Sequence, residues 1–253
     1  MSLSQHISID VMGGDFGPRF CVPASLKFLV DNPSCSAILV GHKEQIEREF
    51  ESERTISASV KNSILSSRVR VEHTDVVVEA SDKPGAALRH KQDSSLWKAI
   101  ELVSRGEAGA AVSAGNTGAL MAMGRHLIKT IPGIDRPAIC KSIPTQSGVS
   151  YLLDMGANID CSPEHLLQFA LMGSALAQIN GSNSPSVALL NIGAETTKGS
   201  PEIQKAAAML SSCENLRFEG FVEGNHLYRG DVDVIVCDGF VGNVALKVSE
   251  GAA

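Results

Sequence analysis

The stretch Gly109-Ala-Ala-Val-Ser-Ala-Gly-Asn-Thr-Gly-Ala-Leu-Met-Ala-Met123 decides the fold. Ala110–Val112 reads as a short buried strand, Ser113–Gly118 as a tight loop, and the remainder as a helix. Gly115 and Gly118 remove side chains where the backbone turns sharply or lets another group approach. Asn116 and Thr117 supply polar groups in that gap. Such a loop aims N–H groups of the helix start into the crevice at the strand ends. Open α/β sheets bind ligands there, and helix N-termini favour anions. Asn is also a good helix N-cap, so a single loop of this kind serves a local turn equally well. Its recurrence along the chain is what favours a site.

Outward from that loop, strand, turn and helix alternate. Strands are predicted at Ile7–Val11, Ala37–Val40 and Val69–His73 before the loop, and at Val187–Leu190, Leu216–Val222 and Val232–Cys237 after it. Helices are predicted from Pro18 to about Val30, over Lys43–Phe50, from Ser95 to Ser104 capped by Ser94, and from the loop to about Lys129. Further on, Ser162-Pro163-Glu164 opens a helix to Ile179, Pro201–Ser212 forms another, and a last one starts near Asn243. Ser81–Gln92 reads as a polar connection. Ala138–Ile143 and Val149–Leu153 flank Pro144-Thr-Gln-Ser-Gly148, which predicts a hairpin. This alternation implies a mainly parallel sheet covered on both faces, with one antiparallel element.

The 253 residues suit one large domain, 1–253, or two intimate subdomains. With 43% hydrophobic and 20% charged residues the chain is globular, and its net charge of −6 argues against a general nucleic-acid binder. The six cysteines form no C-x-x-C pair and read as reduced core residues of a cytoplasmic protein. No signal peptide and no apolar run of transmembrane length is seen. The amphipathic pattern from Leu246 has no visible end, so the sequence is expected to continue past Ala253.

Polar, Gly-rich turns follow strand after strand: Asp10 to Gly17, Ser113 to Gly118, Asp154 to Asn158, Asn191 to Glu195, and Asp238 to Asn243. Parallel strands point such turns toward one rim, where five of them can line a polar, backbone-rich site. Lys198, in Gly193-Ala-Glu-Thr-Thr-Lys-Gly199, resembles a phosphate loop with altered order but is not a Walker A motif. A lysine between glycines suits a phosphate or a developing negative charge, although an exposed loop lysine reads the same way. Arg89 and Lys91 form a second cationic pair. Asp10, Asp15, Asp154 and Asp238 are expected to cap and brace turns rather than hold a cation. No nucleophile elbow, zinc signature or dinucleotide fingerprint is present.

Five of these segments resemble the PlsX-type phosphate acyltransferases: Asp10-Val-Met-Gly-Gly-Asp-Phe-Gly-Pro18, Ser113 to Met121, Leu153-Asp-Met-Gly-Ala-Asn158, Asn191-Ile-Gly-Ala-Glu195 with Lys198-Gly199, and Asp238 to Lys247. Asp82-Lys-Pro84, Arg89 and Ser94-Ser95 also fit, and the resemblance spans essentially the whole chain. It implies a three-layer α/β/α sandwich related to isocitrate dehydrogenase and phosphotransacetylase. It implies transfer of an acyl group from acyl carrier protein to inorganic phosphate, giving acyl phosphate for phospholipid synthesis, by a homodimer in peripheral contact with the membrane. A C-terminal part beyond Ala253 is then expected to serve dimer or membrane contacts. Lys141 departs from the family pattern, standing where an apolar strand residue is usual.

The inventory suits that chemistry without metal or cofactor, since phosphate is itself the nucleophile and a thiolate, with a pKa near ~8.5, is a tolerable leaving group. Lys198 is assigned to phosphate or oxyanion charge, and Asn116 and Asn243 to hydrogen-bond donation. Gly115, Thr117 and Gly118 would offer backbone N–H groups, Asp238 and Gly242 would line the substrate, and Arg89 would meet phosphate or the carrier's phosphopantetheine. Three rivals remain: a coenzyme A-dependent phosphotransacetylase, a metal- and NAD-dependent dehydrogenase, and a non-catalytic scaffold of lipid synthesis.

Overall fold

A computed structural model describes residues 6–252, and the chain divides into two compact units, Met1–Lys129 and Thr130–Ala253. Ala253, where the last helix was expected to be cut, lies outside the described residues.

The first unit runs β1 (His6–Asp10), α1 (Pro18–Asp31), β2 (Ser36–Gly41), α2 (Lys43–Ser52), α3 (Ala58–Ser67), β3 (Val69–His73), α4 (Pro84–His90), α5 (Ser95–Ser104), β4 (Ala110–Ser113) and α6 (Thr117–Leu127). Its strands are all parallel, in the order β3-β2-β1-β4. Strand β2 explains the layering. Ala37 and Leu39 point to one face, where Val22, Leu26 and Leu29 of α1 pack with Ile46 and Ile64. Ile38 and Val40 point to the other, against Ala99 and Leu102 of α5. A strand buried on both faces needs an unbroken apolar run, and β2 has one. Truncating a core residue such as Leu26, which is fully buried, costs about 2–5 kcal/mol.

The second unit runs β5 (Cys140–Thr145), β6 (Gly148–Leu153), α7 (Pro163–Ile179), β7 (Ser186–Leu190), α8 (Pro201–Ser211), β8 (Arg217–Val222), β9 (Val234–Val236) and α9 (Gly239–Ala252). The order is β5-β6-β9-β7-β8, with β5 and β6 antiparallel and the other pairs parallel. Thr145 pairs with Gly148, so the hairpin closes through Gln146 and Ser147. Leu166 and Phe169 of α7 and Leu210 of α8 cover one sheet face, on Val187 and Val234. Ala245 and Leu246 of α9 lie with the opposite cluster, which holds Ala188 and Ile235. The mixed α/β class, the parallel strands and the hairpin are as the sequence predicts.

Three elements depart from the sequence reading. The expected connection Ser81–Gln92 contains α4, started by Pro84 in its first turn and only seven residues long. A helix that short shows no periodicity. Helix α3, between Phe50 and Val69, carries one buried apolar residue, Ile64, and so has little amphipathic signal. Helix α9 begins at Gly239, not near Asn243, because Gly239 and Gly242, poor helix formers, sit in its first turn.

Candidate active site

In the first unit the turns after β1 and β4 are tied together by Asp10, which is 3% exposed. Its Oδ2 accepts from Ser113 Oγ at 2.7 Å, and its Oδ1 accepts from Met12 N at 3.2 Å. Ser113 Oγ in turn accepts from Gly115 N at 3.0 Å. The backbones meet closely: a Cβ on Gly13 would lie 2.8 Å from Gly115 N. The N–H of Gly115 is thus spent within the loop, which corrects its expected role as a free donor.

Asn116 is the N-cap of α6. Its Oδ1 accepts from Ala119 N at 2.9 Å, and its Nδ2 donates to the carbonyls of Glu79, Ala80 and Asp82 at 3.2, 3.2 and 2.9 Å. Both ends of the amide are occupied, so the geometry gives Asn116 a positioning task instead of the donor task read from the sequence. Thr117 and Gly118 open the helix, and their N–H groups meet no backbone or side-chain acceptor among the described residues. Gly118 is required by α4, since a Cβ there would lie 2.6 Å from Pro84 Cγ. The segment before α4, whose carbonyls hold Asn116, is braced by Lys91, which donates to Asp82 at 2.5 Å and to the Val77 carbonyl at 2.8 Å. The Lys91 ammonium, followed by the Glu79 N–H, holds the Asp82 carboxyl below its usual range. Arg89 on α4 is exposed, with no side-chain partner among the described residues.

In the second unit the turns after β6, β9 and β7 leave adjacent parallel strands at their carboxyl ends. Asp154, fully buried, accepts from Ile139 N, Ala157 N and Asn158 N, and from Asn158 Nδ2. It shapes the Asp154–Asn158 turn and has no capacity left for a ligand. Helix α9 starts against this turn: Gly239 N donates to Asn158 O at 2.7 Å, and a Cβ on Gly242 would lie 1.9 Å from Asp154 O. Buried Gly242 thus leaves room for the backbone of this turn. Asp238 caps α9, its Oδ1 accepting from Val241 N at 2.8 Å. Asn243 falls in the second turn of α9, with its side chain exposed, unpartnered and against Gly156, whose added Cβ would lie 3.6 Å away.

Lys198 stands in the β7–α8 turn, exposed and outside every ion pair of the described residues. Its loop is held from beneath. Asn191 Nδ2 donates to the Lys198 carbonyl at 3.2 Å, and Gln204 Nε2 donates to the carbonyls of Thr197 and Gly199 at 3.0 and 3.3 Å. Gly199 sits at φ +93°, and a Cβ there would lie 2.7 Å from Asn191 Oδ1. Asn191 could be suspected from its place in a Gly-rich turn, but Gln204 on α8 carried no sequence signal. The thiols near these turns are held protonated. Burial pushes Cys161 up to about 11, and burial, then Asp238 and Asp154, raise Cys237 further. Neither is a thiolate near neutral pH, and thiols need that form to attack.

A family model described as "Fatty acid synthesis protein" matches residues 5–253. A phosphate acyltransferase of Saccharophagus degradans is 54% identical over 253 residues, covering 100% of this chain and 71% of that protein. One from Teredinibacter turnerae is 55% identical, covering 100% and 74%. The chain belongs to the phosphate acyltransferase family. Among solved structures, a phosphotransacetylase from Streptococcus pyogenes superposes with a TM-score of 0.69 at 16% identity, covering 100% of this chain and 83% of the other. The EutD phosphotransacetylase of Staphylococcus aureus gives 0.65 at 16%, covering 99% and 83%. At such identity the likeness shows the shared fold, not a shared substrate. No helix among the described residues is long and apolar enough to cross a membrane.

Proposed function

We propose that this protein transfers an acyl group from a thioester donor to inorganic phosphate, releasing a thiol and an acyl phosphate. The observation that carries the reading is the second unit's rim. There an unpaired lysine and an unpartnered asparagine follow neighbouring parallel strands, while Asp154 is spent on the turn after β6, Asp238 caps α9, and the Cys161 and Cys237 thiols are held neutral. The thiols of this rim are held protonated, and direct attack by phosphate requires no covalent acyl intermediate. Phosphate oxygen adds to the thioester carbonyl, the tetrahedral oxyanion collapses, and the thiolate leaves. Lys198 stabilises the phosphate or the oxyanion as a point charge, and Asn243 Nδ2 donates to the developing charge.

In the first unit, the open N–H groups of Thr117 and Gly118 at the start of α6 suit an anion, and Arg89 adds a mobile cation. The family resemblance supports the finer parts of the reading: acyl carrier protein as the donor, use in phospholipid synthesis, a cytoplasmic location, pairing into a homodimer and peripheral contact with the membrane. The test is turnover. The full-length protein given long-chain acyl-[acyl carrier protein] should form acyl phosphate at a rate that rises with phosphate and needs neither metal nor NAD. Activity confined to coenzyme A thioesters of short acids would assign it to the phosphotransacetylases instead.

A further inference from the structure

The hairpin and α9 line a half-open cavity of about 420 Å³ within the second unit. Its walls are apolar, from Ile143, Leu152, Met155, Leu227 and Leu246. Its size lies in the range of sites that bury a drug-sized ligand. The register fixes its direction. Lys141 pairs with Leu152, one residue from the carboxyl end of β6, so it marks the end nearest the rim. Pro144 lies nearer the hairpin turn, and Tyr228, whose carbonyl accepts from Gln146 N at 3.0 Å, closes that far end. There the Tyr228 hydroxyl also donates to Ser249 Oγ of α9.

Two features place this cavity next to the rim along the chain. Met155 in its wall directly precedes Gly156, the residue against which Asn243 packs. Leu246 in its wall is three residues, one helical turn, beyond Asn243. The lysine is equally informative. Strand alternation puts Ile139, Lys141 and Ile143 on the face that meets α9, and both isoleucines join its apolar cluster. A lysine between them occupies an apolar position, which its long methylene stem tolerates while its ammonium stays in solvent. The Glu250 carboxyl, next to Ser249 on α9, is held low, first by Lys247 and in smaller part by Lys141.

We infer that this cavity holds the hydrocarbon chain of the acyl group, with its carbonyl end at Met155 and Asn243 and its methyl end toward Tyr228 and Ser249. This rests on the acyl-transfer reading above and adds where the chain lies and what sets its length. The Tyr228–Ser249 contact sets the depth.

Dodecyl phosphate and butyl phosphate, titrated calorimetrically into the full-length protein, test this without turnover. Each buried methylene is worth about fourfold in affinity, so dodecyl phosphate should bind at least ~100-fold more tightly than butyl phosphate. Ala245→Phe narrows the cavity and should reduce that ratio to below about tenfold. Ser249→Trp, on the half-exposed side of α9, should do the same for dodecyl but less for octyl phosphate, and supplies the test if the first variant fails to fold. An unchanged ratio in either folded variant overturns the cavity assignment while leaving the reaction standing. A ratio that collapses in a protein that makes no acyl phosphate upholds the cavity and overturns the reaction.

Discussion

The two units carry the same device, Gly-rich turns at the ends of parallel strands, and use it differently. In the first unit the polar side chains are consumed. Asp10 and Ser113 tie two turns together, and Asn116 spends both ends of its amide on Ala119 and three carbonyls. What stays open at the turn itself is the main chain of Thr117 and Gly118, with the Arg89 side chain on α4. In the second unit, Asp154 and Asp238 do the consuming, and Lys198 and Asn243 stay open. The first rim offers fixed backbone dipoles at a helix start, and the second offers side chains from its turns. A motif rich in Asn, Asp and Gly therefore does not reveal by itself which residues meet a ligand; the hydrogen-bond inventory does.

Four changes would break or sharpen that contrast. The largest effect is expected at Lys198. Lys198→Ala should lower kcat/KM by roughly 10²- to 10³-fold with the fold retained, as for loss of one transition-state donor. A folded variant with near-normal turnover would make Lys198 an ordinary surface lysine. Asn243→Ala should cost on the order of 10²-fold and leave thermal unfolding unchanged, because its side chain makes no hydrogen bond. A drop in Tm with unchanged kcat would reverse its assignment.

Asn116 should behave in the opposite way. Asn116→Asp keeps the cap but sets a carboxylate oxygen against three carbonyls, so a stability loss of about 1–3 kcal/mol is expected in denaturant titration. Any fall in rate should follow from the loosened loop. Full stability with a large loss of kcat would instead place Asn116 at the reacting atoms. The smallest effect concerns Cys161, whose ordinary value of 9.0 burial raises to about 11. A raised thiol pKa means the folded state keeps its proton longer, so the associated stability is present below pH 9.0 and is lost as the pH rises through about 11. Iodoacetamide should thus label Cys161 slowly at pH 8, and rapid labelling there would show that it is a reactive thiolate.

Much of the fold was legible because its signals are local. Ser162-Pro163-Glu164 announces α7 through its cap, and Ser94 announces α5 by accepting from Trp97 N. The buried run Ser36–Gly41 and the hairpin around Gln146 need only short windows. Helix α4 was missed because seven residues hold no full period, and the start of α9 because glycines conceal a helix whose close approach to Asp154 demands them. The site was legible at the level of which turns matter. Which groups in them are spent depends on partners far along the chain: Asn116 on carbonyls 34 to 37 residues away, and Asp154 on Ile139 across the hairpin. No sequence pattern encodes such pairings.

The central claim is that the acyl group passes to phosphate directly, and intact-mass spectrometry tests it most simply. Full-length protein mixed with a stoichiometric long-chain acyl-[acyl carrier protein] in phosphate-free buffer should keep its unmodified mass and leave the donor intact. Addition of phosphate should then release free carrier protein and acyl phosphate in equal amounts. A protein mass raised by one acyl group before phosphate is added, and discharged by it afterwards, would contradict the account.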